Sequence, residues 1–480
     1  MSIDPGTRPL TEAVPFPLQG KRVLLLNWRD RTHPLAGGAE VYTWNIGERL
    51  VAGGSEVTVF TARHAGSART GLDRGMRVVR GGGTFGVYLA AAWFLLRHRR
   101  RFDAVVDFQN GIPFFAPLFA GRRRAVVVVV HHVHTEQFAL HFSPLFSRIG
   151  QFLEGPASRR VYGRRPVVAV SPSTRRDVRR RLKLRGPIHV VPNGTAARPT
   201  VPAGARSPFP HVVVVSRLVS HKRFDLLLEA VPDLLATHPD LRVDIAGDGP
   251  DRAALQARAA ELGLDDVVTF HGFVSAEQRE QLLAAGWVTA APSQAEGWGL
   301  TVVEANAAGV PAVAFDVPGL RDSVVHGRTG WIVPTGTPLA AGLDHALREL
   351  ADPRTAGSMA DRCRTWAGSF SWETSAERLA GVVAGEIDAR RSRSRREASD
   401  LSVRVEADLR GFSGDVDALL TRLPQVLRRS DEWVVDGHTL QVLLHGCDQA
   451  VASEVMDRLG LALCSRMRLA TSSDLLTGAR

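Results

Sequence analysis

Residues 291–317 read APSQAEGWGLTVVEANAAGVPAVAFDV and place Glu296 and Glu304 on either side of a turn of small residues. The turn leads into an apolar, alanine-rich segment that predicts a helix. Helix N-termini attract phosphates, and carboxylates accept strong hydrogen bonds from hydroxyl groups. Such a stretch can hold the hydroxyls of a sugar and of a ribose around one diphosphate. Taken alone, the two glutamates would suit a solvated loop and helix face better.

Four further segments extend this pattern, and their order and spacing are more specific than any one of them. They are SRLVSHKRFDLLLEA from Ser216, VDIAGDGPDRAAL from Val243, FHGFVSAEQREQLLAA from Phe270 and GLRDSVVHGRTGWIV from Gly319. With the Glu-x7-Glu spacing of residues 296 and 304, they make the chain resemble the retaining family-4 glycosyltransferases, which have the GT-B fold. The resemblance covers about residues 21–390 and is stronger in the second half.

Short apolar runs alternate with longer segments of helical periodicity, which predicts βαβ units and parallel sheets buried on both faces. The predicted strands are KRVLLLNW, EVTVFTA, RFDAVVDF, RAVVVVVHH and PVVAVSPST, then HVVVVSRL, LRVDIAGD, VVTFHGF, GWVTAAPS and PAVAFDV. We expect an α/β fold of two facing Rossmann-like, doubly wound domains. Their ligand should lie between the carboxyl ends of the strands.

Domain limits follow from these patterns and from the resemblance. The expected parts are a disordered leader (1–20), an N-terminal Rossmann-like acceptor domain (21–200), a C-terminal nucleotide-sugar donor domain (201–370), a crossover helix returning to the first domain (371–392) and an appended domain (400–480). The last part reads as βαββαβ, which predicts a small α+β ferredoxin-like domain. It faintly resembles a diguanylate-cyclase-like domain, but its Gly-Gly-Asp-Glu-Phe loop is missing, so a degenerate module is implied.

Composition limits the classes of protein. With 480 residues and 44% hydrophobic residues, the chain suits two or three soluble domains. Its three cysteines, Cys363, Cys447 and Cys464, are far apart and fit neither a disulfide framework nor a zinc site. The longest apolar run, residues 85–96, is too short to cross a membrane. We expect a cytoplasmic protein, with peripheral binding at the inner face of the membrane as the further option.

The net charge of +11 calls for an anionic partner. The basic residues cluster at 97–101, 122–124, 159–165 and 175–185, all in the first half. No nucleic-acid recognition module is visible and aromatic residues are only 7%, so nucleic acid is not expected. An anionic membrane surface or an acidic, lipid-linked acceptor is favoured. For any single cluster, an ordinary solvated surface is as good an explanation.

The resemblance implies roles on the donor side. Arg217 and Lys222 match the cationic pair that neutralises the leaving diphosphate, which needs no metal or other cofactor. Glu296 matches the carboxylate that contacts the sugar hydroxyls, and Glu304 matches the acceptor of the ribose hydroxyls. The expected backbone amides for the diphosphate come from Gly299, Leu300 and Thr301, and Gly297 is a further expected substrate-binding residue. Trp298 replaces a frequent phenylalanine and should alter the wall beside the sugar, or merely pack the loop.

The first domain offers two further groups. Gly37 and Gly38 follow the first predicted strand, and the absence of side chains permits close approach to phosphates. His131 and His132 end a buried strand, where family members commonly carry a histidine facing the sugar. His132 is preferred, with His131 as a near-equal alternative. A metal site there is discounted because no cysteine or carboxylate cluster accompanies the histidines.

The function implied by the resemblance is hexosyl transfer from a UDP- or GDP-linked donor to a hydroxyl acceptor, with retention of configuration. An acceptor glycan or lipid-linked sugar of the cell envelope is expected. Other GT-B enzymes, such as an epimerase or inverting transferase, and a catalytically inactive scaffold regulated by the C-terminal module are the alternatives. A dehydrogenase is disfavoured because no Gly-x-Gly-x-x-Gly turn follows the first strand.

Overall fold

The computed structural model describes residues 16–33, 36–121, 123–135, 138, 143–195, 206–391, 402–412, 414–427, 431–445, 447, 449–461 and 465–470. The first domain is built on an eight-stranded sheet in the order β3-β4-β2-β1-β5-β6-β7-β8. All neighbours are parallel except the β3–β4 hairpin. The strands are β1 Arg22–Leu26, β2 Glu56–Thr61, β3 Thr70–Asp73, β4 Met76–Arg80, β5 Ala104–Asn110, β6 Ala125–His132, β7 Val167–Ala169 and β8 Ile188–Val190.

Helices cover both faces of this sheet, so its central strands are almost entirely buried, as in parallel sheets generally. The helices are α1 Gly38–Ala52, α2 Val87–His98, α3 Ala116–Ala120, α4 Pro144–Phe152, α5 Ser158–Tyr162 and α6 Pro172–Asp177. Short 3-10 or π-helical turns lie at Arg99–Arg101, Leu153–Ala157 and Val178–Leu182. The start of α6 is fixed by Ser171, whose Oγ accepts a hydrogen bond from the Thr174 amide at 3.0 Å.

The second domain has two three-stranded parallel sheets, which a Val212–Val288 bridge joins edge to edge. The combined order is β11-β10-β9-β12-β13-β14, so the strand order reverses between β9 and β12. Ligands bind at such a switch point in doubly wound sheets. The strands are β9 His211–Val215, β10 Arg242–Ala246, β11 Val268–Gly272, β12 Thr289–Ala291, β13 Ala312–Phe315 and β14 Gly330–Val333.

The helices of the second domain pack on both sides of this sheet. They are α7 Phe224–Thr237, α8 Arg252–Glu261, α9 Ala276–Ala285, α10 Leu300–Ala307, α11 Leu320–Ser323, α12 Leu339–Leu350 and α13 Pro353–Ala367, with a 3-10 turn at Ser220–Lys222. The next helix, α14 Trp372–Arg391, leaves this domain. It buries Trp372, Leu379 and Val383 in the core of the first domain. The chain therefore crosses the cleft twice.

The C-terminal module is a four-stranded antiparallel sheet in the order β16-β17-β15-β18. Its elements are β15 Ser402–Asp408, a 3-10 turn Leu409–Gly411, α15 Val416–Val426, β16 Glu432–Asp436, β17 Thr439–His445, α16 Gln449–Leu459 and β18 Ser465–Leu469. Both helices share one apolar core with the sheet. This is the ferredoxin-like βαββαβ arrangement, and the predicted fold class is confirmed for all three parts.

One expectation about the N-terminus is wrong for its last five residues. We placed residues 16–20 in the disordered leader, but Leu18 is fully buried and the Gly20 amide donates to the Gly54 carbonyl at 2.8 Å. Phe16 packs on the backbone of Gly53 at the end of α1. The apolar side chains of this turn cover the first strand, which the sequence reading overlooked. Residues 1–15 of the expected leader and residues 196–205, around the expected domain boundary at 200/201, lie outside the described residues.

Candidate functional site

A cleft with a volume of about 350 Å³ lies between the first and second domains. Both domains contribute to it through loops at the carboxyl ends of strands. Its described lining comprises Trp28, Arg29, Gly37, Gly38, Ala39, Glu40, Phe85, Tyr88, Asn110, Gly111, Ile112, His131, His132, His134, Phe138, Val170, Asn193, Arg217, Glu296, Gly297, Trp298, Gly299 and Leu300.

Glu296 lies in the loop after β12 and borders the cleft. Its carboxylate forms a close ion pair with Lys222 Nζ and accepts a hydrogen bond from Ser293 Oγ at 3.2 Å. A main-chain bond from the Gln294 amide to the His221 carbonyl, 2.8 Å long, holds the two loops together. Burial opposes ionisation of Glu296, but Lys222 outweighs it and lowers the pKa of the carboxyl. Two predicted site residues therefore meet, each neutralising the other's charge.

The turn after Glu296 needs glycine at two positions. Gly297 lies against the His131 carbonyl, so that a Cβ there would overlap this oxygen. Gly299 has φ +85° and caps α10. Leu300 then starts the helix beside the cleft, and the amides of a first helical turn have no intrahelical acceptor. The geometry provides donors for an anion, while Thr301 lies on the same turn outside the cleft lining.

Glu304 lies one turn further along α10. Its Oε1 is 3.5 Å from Arg279 Nη1, and about a quarter of its side chain is exposed. Burial raises the pKa of this carboxyl, with only Arg279 opposing the effect. Glu304 is not among the described residues that line the cleft. It therefore lies next to the site but does not form part of its wall.

Arg217 reaches across the cleft from the second domain to the start of α1. A Cβ on Gly37 would lie 2.7 Å from Arg217 Nη2, whereas a Cβ on Gly38 would meet nothing within 4 Å. The Arg217 loop is itself held by close backbone contact with Gly247 and Gly249, whose Cβ positions would overlap the Ser216 and Leu218 carbonyls. The AGDGP turn thus positions the Arg217 loop.

Glu40 was missed by the sequence analysis, although it stands two residues after the predicted Gly37-Gly38 pair. The side chain is almost fully buried at the cleft and accepts a hydrogen bond from the Gly37 amide at 2.7 Å. Burial raises the pKa of this carboxyl, against the opposing effect of the Gly37 amide and of Arg29. Arg29 also lines the cleft, with its guanidinium carbon 3.9 Å from the Trp28 ring centroid. The only signals in the sequence were that Arg29 follows the first predicted strand and that Glu40 follows the Gly37-Gly38 pair.

His131 and His132 both line the cleft, so their position does not choose between them. The His131 ring is buried against Tyr42, with ring centroids 5.1 Å apart, and its Nε2 has no hydrogen-bond partner among the described residues. Burial lowers the pKa of His131 and of His132 to about 3. Each is therefore neutral near pH 7 and can exchange hydrogen bonds with hydroxyl groups without adding charge.

Two further buried polar atoms face this region without a hydrogen-bond partner in the described part of the chain: Asn193 Oδ1 and Trp298 Nε1. Trp298 is only 4% exposed, and its ring packs edge-on against Phe370 at 4.9 Å. It therefore both borders the cleft and packs the core. Asn193 was not among the predicted site residues, because no local pattern marks it as a cleft residue.

The described residues contain no group of three or more His, Cys, Asp or Glu side chains that could hold a metal ion. Cys363 and Cys447 are buried, and Cys464 lies outside the described residues. No described helix combines the length and apolar character that crossing a bilayer requires.

Two family models match the chain in succession. "Glycosyltransferase Family 4" matches residues 36–198, and "Glycosyl transferases group 1" matches residues 202–362. The two matches include residues of both walls of the cleft. The chain belongs to the GT-B glycosyltransferases of family 4. The C-terminal module lies outside both matches.

Individual proteins resemble this family-4 glycosyltransferase over part of their length. The GDP-mannose-dependent alpha-(1-6)-phosphatidylinositol monomannoside mannosyltransferase of Mycolicibacterium smegmatis is 37% identical over 38% of this chain and 50% of its own. The D-inositol 3-phosphate glycosyltransferase of Streptomyces avermitilis is 37% identical over 37% of this chain and 40% of its own. The chain thus spans about half or less of these curated relatives.

Among solved structures, the sucrose-phosphate synthase of Thermosynechococcus elongatus superposes with a TM-score of 0.65. The superposition covers 77% of this chain and 100% of that one at 22% sequence identity. At this identity the likeness concerns the GT-B fold.

Proposed function

We propose that this family-4 glycosyltransferase transfers a hexose from a UDP- or GDP-linked donor to a hydroxyl group of an acceptor, with retention of configuration. One observation carries the proposal: Arg217, the Lys222–Glu296 pair and the start of α10 converge on one cleft, opposite Gly37. This combination of cations, helix amides and a carboxylate suits a sugar diphosphate.

In this proposal the second domain holds the donor. Arg217, Lys222 and the first amides of α10 stabilise the negative charge that grows on the departing diphosphate. Glu296 accepts hydrogen bonds from the sugar hydroxyls and faces the positive charge at the anomeric carbon. Glu304, flanking the site, binds the ribose hydroxyls. Because these cations supply the positive charge, we propose that transfer needs no metal ion, which assays with a chelator test.

Retention is proposed to proceed by attack on the face from which the diphosphate leaves. The bond between the anomeric carbon and the phosphate oxygen breaks, the acceptor oxygen bonds on the same face, and its proton passes to the departing phosphate oxygen. Among the described lining residues, the carboxylates are Glu40 and Glu296. Glu40 is engaged by the Gly37 amide and Glu296 by Lys222, which disfavours a covalent route of the kind used by retaining glycosidases. An NMR assignment of an inverted product linkage would contradict this.

The acceptor is proposed to be a lipid-linked or cell-envelope glycan precursor. The names of the two relatives, which mention a phosphatidylinositol mannoside and an inositol phosphate, support an acceptor with an anionic group. Arg29 stands on the first-domain side of the cleft, where a phosphate of such an acceptor would find a partly buried cation.

The decisive experiment is a hydrolysis and transfer screen against a panel of nucleotide sugars. Glu296→Ala and Lys222→Ala are compared with the matched control Glu277→Ala, an exposed glutamate in the first turn of α9. We expect one donor to raise the melting temperature and to be turned over by the wild type and the control alone. Full turnover by both cleft variants would refute the site. Absence of a stability shift with every donor would favour the inactive scaffold.

A further inference from the structure

Two helices of the first domain leave apolar stripes uncovered. On α2, Leu89, Trp93 and Leu96 are 80%, 63% and 51% exposed. Their spacing of four and three residues puts them on one face, opposite the buried Val87, Ala91 and Leu95 that anchor the helix. Phe85, just before the helix, is 73% exposed.

Helix α4 repeats this arrangement. Leu145, Ile149 and Phe152 follow the same spacing, and with Phe146 they are 45–67% exposed. The opposite face of α4 is buried at Ser147 and Gly150. Soluble proteins seldom expose so many large apolar side chains along two helices unless the surface binds something apolar.

Both stripes are accompanied by positive charge that has little acidic compensation. Residues 85–101 contain no aspartate or glutamate, and α2 continues into the exposed 3-10 turn Arg99–Arg101. Arg97 extends over the Trp93 ring, 5.9 Å from its centroid. In residues 143–162 the only acidic residue is Glu154, whose side chain is fully buried, while Arg148, Arg159 and Arg160 are exposed. Apolar stripes bordered by arginine are typical of surfaces that lie on anionic membranes.

Both helices lie beside the cleft. Tyr88 on α2 and Phe85 before it line the cleft, and so does Phe138, which packs against Gly150 of α4. A lipid-linked acceptor held at this surface would present its headgroup beside the first-domain wall of the site. The position of this surface beside the cleft, and its excess of arginine over acidic residues, favour an anionic membrane over a partner protein.

We propose that α2 and α4 form a docking surface for an anionic phospholipid bilayer, which delivers the acceptor to the cleft. This deepens the proposed function, because it names the source of the acceptor. The apolar stripes enter the interface, and the arginines contact the phosphate headgroups. Binding should therefore need anionic lipid and should weaken as the salt concentration rises.

Vesicle flotation tests the surface with the full-length protein. We expect the wild type to float with vesicles of phosphatidylcholine and phosphatidylglycerol, and about tenfold less with phosphatidylcholine alone. Leu89→Ser with Trp93→Ser, or Leu145→Ser with Ile149→Ser, should abolish flotation. Arg99→Gln with Arg100→Gln should reduce it to the level seen with neutral vesicles. The matched control is Leu72→Ser with Phe273→Ser, because these side chains are 79% and 89% exposed and lie elsewhere.

Each variant is also tested for the rise in melting temperature that the donor causes. This rise should persist in all of them, since the substituted residues lie outside the cleft lining. A wild type that does not float with anionic vesicles, or stripe variants that float normally, would overturn the proposal. Stripe variants that float normally but lose self-association in size-exclusion chromatography would assign the face to a protein partner. A wild type that floats but responds to no donor would instead refute the proposed function.

Discussion

Arg175 in α6 forms a buried ion pair with Glu432 at the start of β16, and this pair joins the C-terminal module to the first domain. The same short helix also holds the second domain. The Ser173 amide donates to Asp322 Oδ2 at 2.7 Å, and Thr174 Oγ1 donates to the Gly297 carbonyl at 3.2 Å. Helix α6 thus connects all three parts of the chain next to the cleft.

The first prediction concerns this connection. Glu432→Gln would remove the charge of one partner of this ion pair, and breaking a buried ion pair typically costs about 3–5 kcal/mol. We expect a comparable fall in the free energy of unfolding, measured by urea denaturation. The control is Glu406→Gln, whose carboxylate pairs with Arg404 but is 48% exposed, and this change should have a small effect. Equal losses in the two variants would show that the buried pair does not hold the module.

The second prediction separates the two glycines at the start of α1. Gly37→Ala should displace Arg217, because the new Cβ would lie 2.7 Å from its guanidinium. Gly38→Ala meets no atom within 4 Å and should leave the melting temperature of the free protein unchanged or slightly higher. If a donor phosphate approaches Gly38, the KM for the donor should nevertheless be about tenfold higher in Gly38→Ala, the equivalent of about 1.4 kcal/mol. An unchanged KM for Gly38→Ala would remove Gly38 from the phosphate site.

The third prediction tests the ribose role of Glu304. Glu304→Gln keeps the shape of the side chain but weakens the hydrogen bonds it accepts, and a bond to a charged group is worth about 1.5–3 kcal/mol. We expect the donor KM to rise by roughly 10- to 150-fold, with little change in the stability of the free protein. Kinetics with the preferred donor and melting without it measure the two effects. A normal KM would place the ribose elsewhere.

The fourth prediction concerns acid stability. The unfolded His131 imidazole binds a proton below about pH 6.5, but the folded one does so only near pH 3. The unfolded state therefore gains protons first, and the free energy of unfolding should fall by about 1.4 kcal/mol per pH unit between these values. In denaturation curves measured at about pH 7, 6 and 5, His131→Asn should show a smaller slope than the wild type. The control His345→Asn, at an exposed position on α12, should leave the slope unchanged. An identical slope in all three proteins would show that the burial of His131 is not the cause of the pH dependence.

The fold was readable from the sequence where apolar periodicity was strong. The run AVVVVVHH became β6, buried on both faces, and the alternating segments after residue 401 became the antiparallel module. The hairpin strand β3, with sequence TGLD, has no apolar pattern, and β8 has only three residues, so neither was predicted. Their pairing depends on neighbours already in place, which no local pattern records.

The site was readable only where a motif carried it. Residues 296–300 form one continuous turn whose backbone needs glycine, so a spacing rule could identify them. Arg29, Glu40 and Asn193 reach the cleft because separate elements converge there, and their local sequence does not distinguish them from surface or linker residues. The contact between Arg175 and Glu432 spans 257 positions and could not be inferred from spacing.

The Lys222–Glu296 ion pair makes donor binding an exchange of partners. A donor phosphate that binds Lys222 must replace a carboxylate, and sugar hydroxyls that bind Glu296 must replace an ammonium group. The measured affinity of a nucleotide sugar is then a difference between two sets of contacts. The measured affinity is therefore smaller than the strength of either set of contacts. The effects of substituting Lys222 and Glu296 should not add, because each change also frees the other residue from its partner.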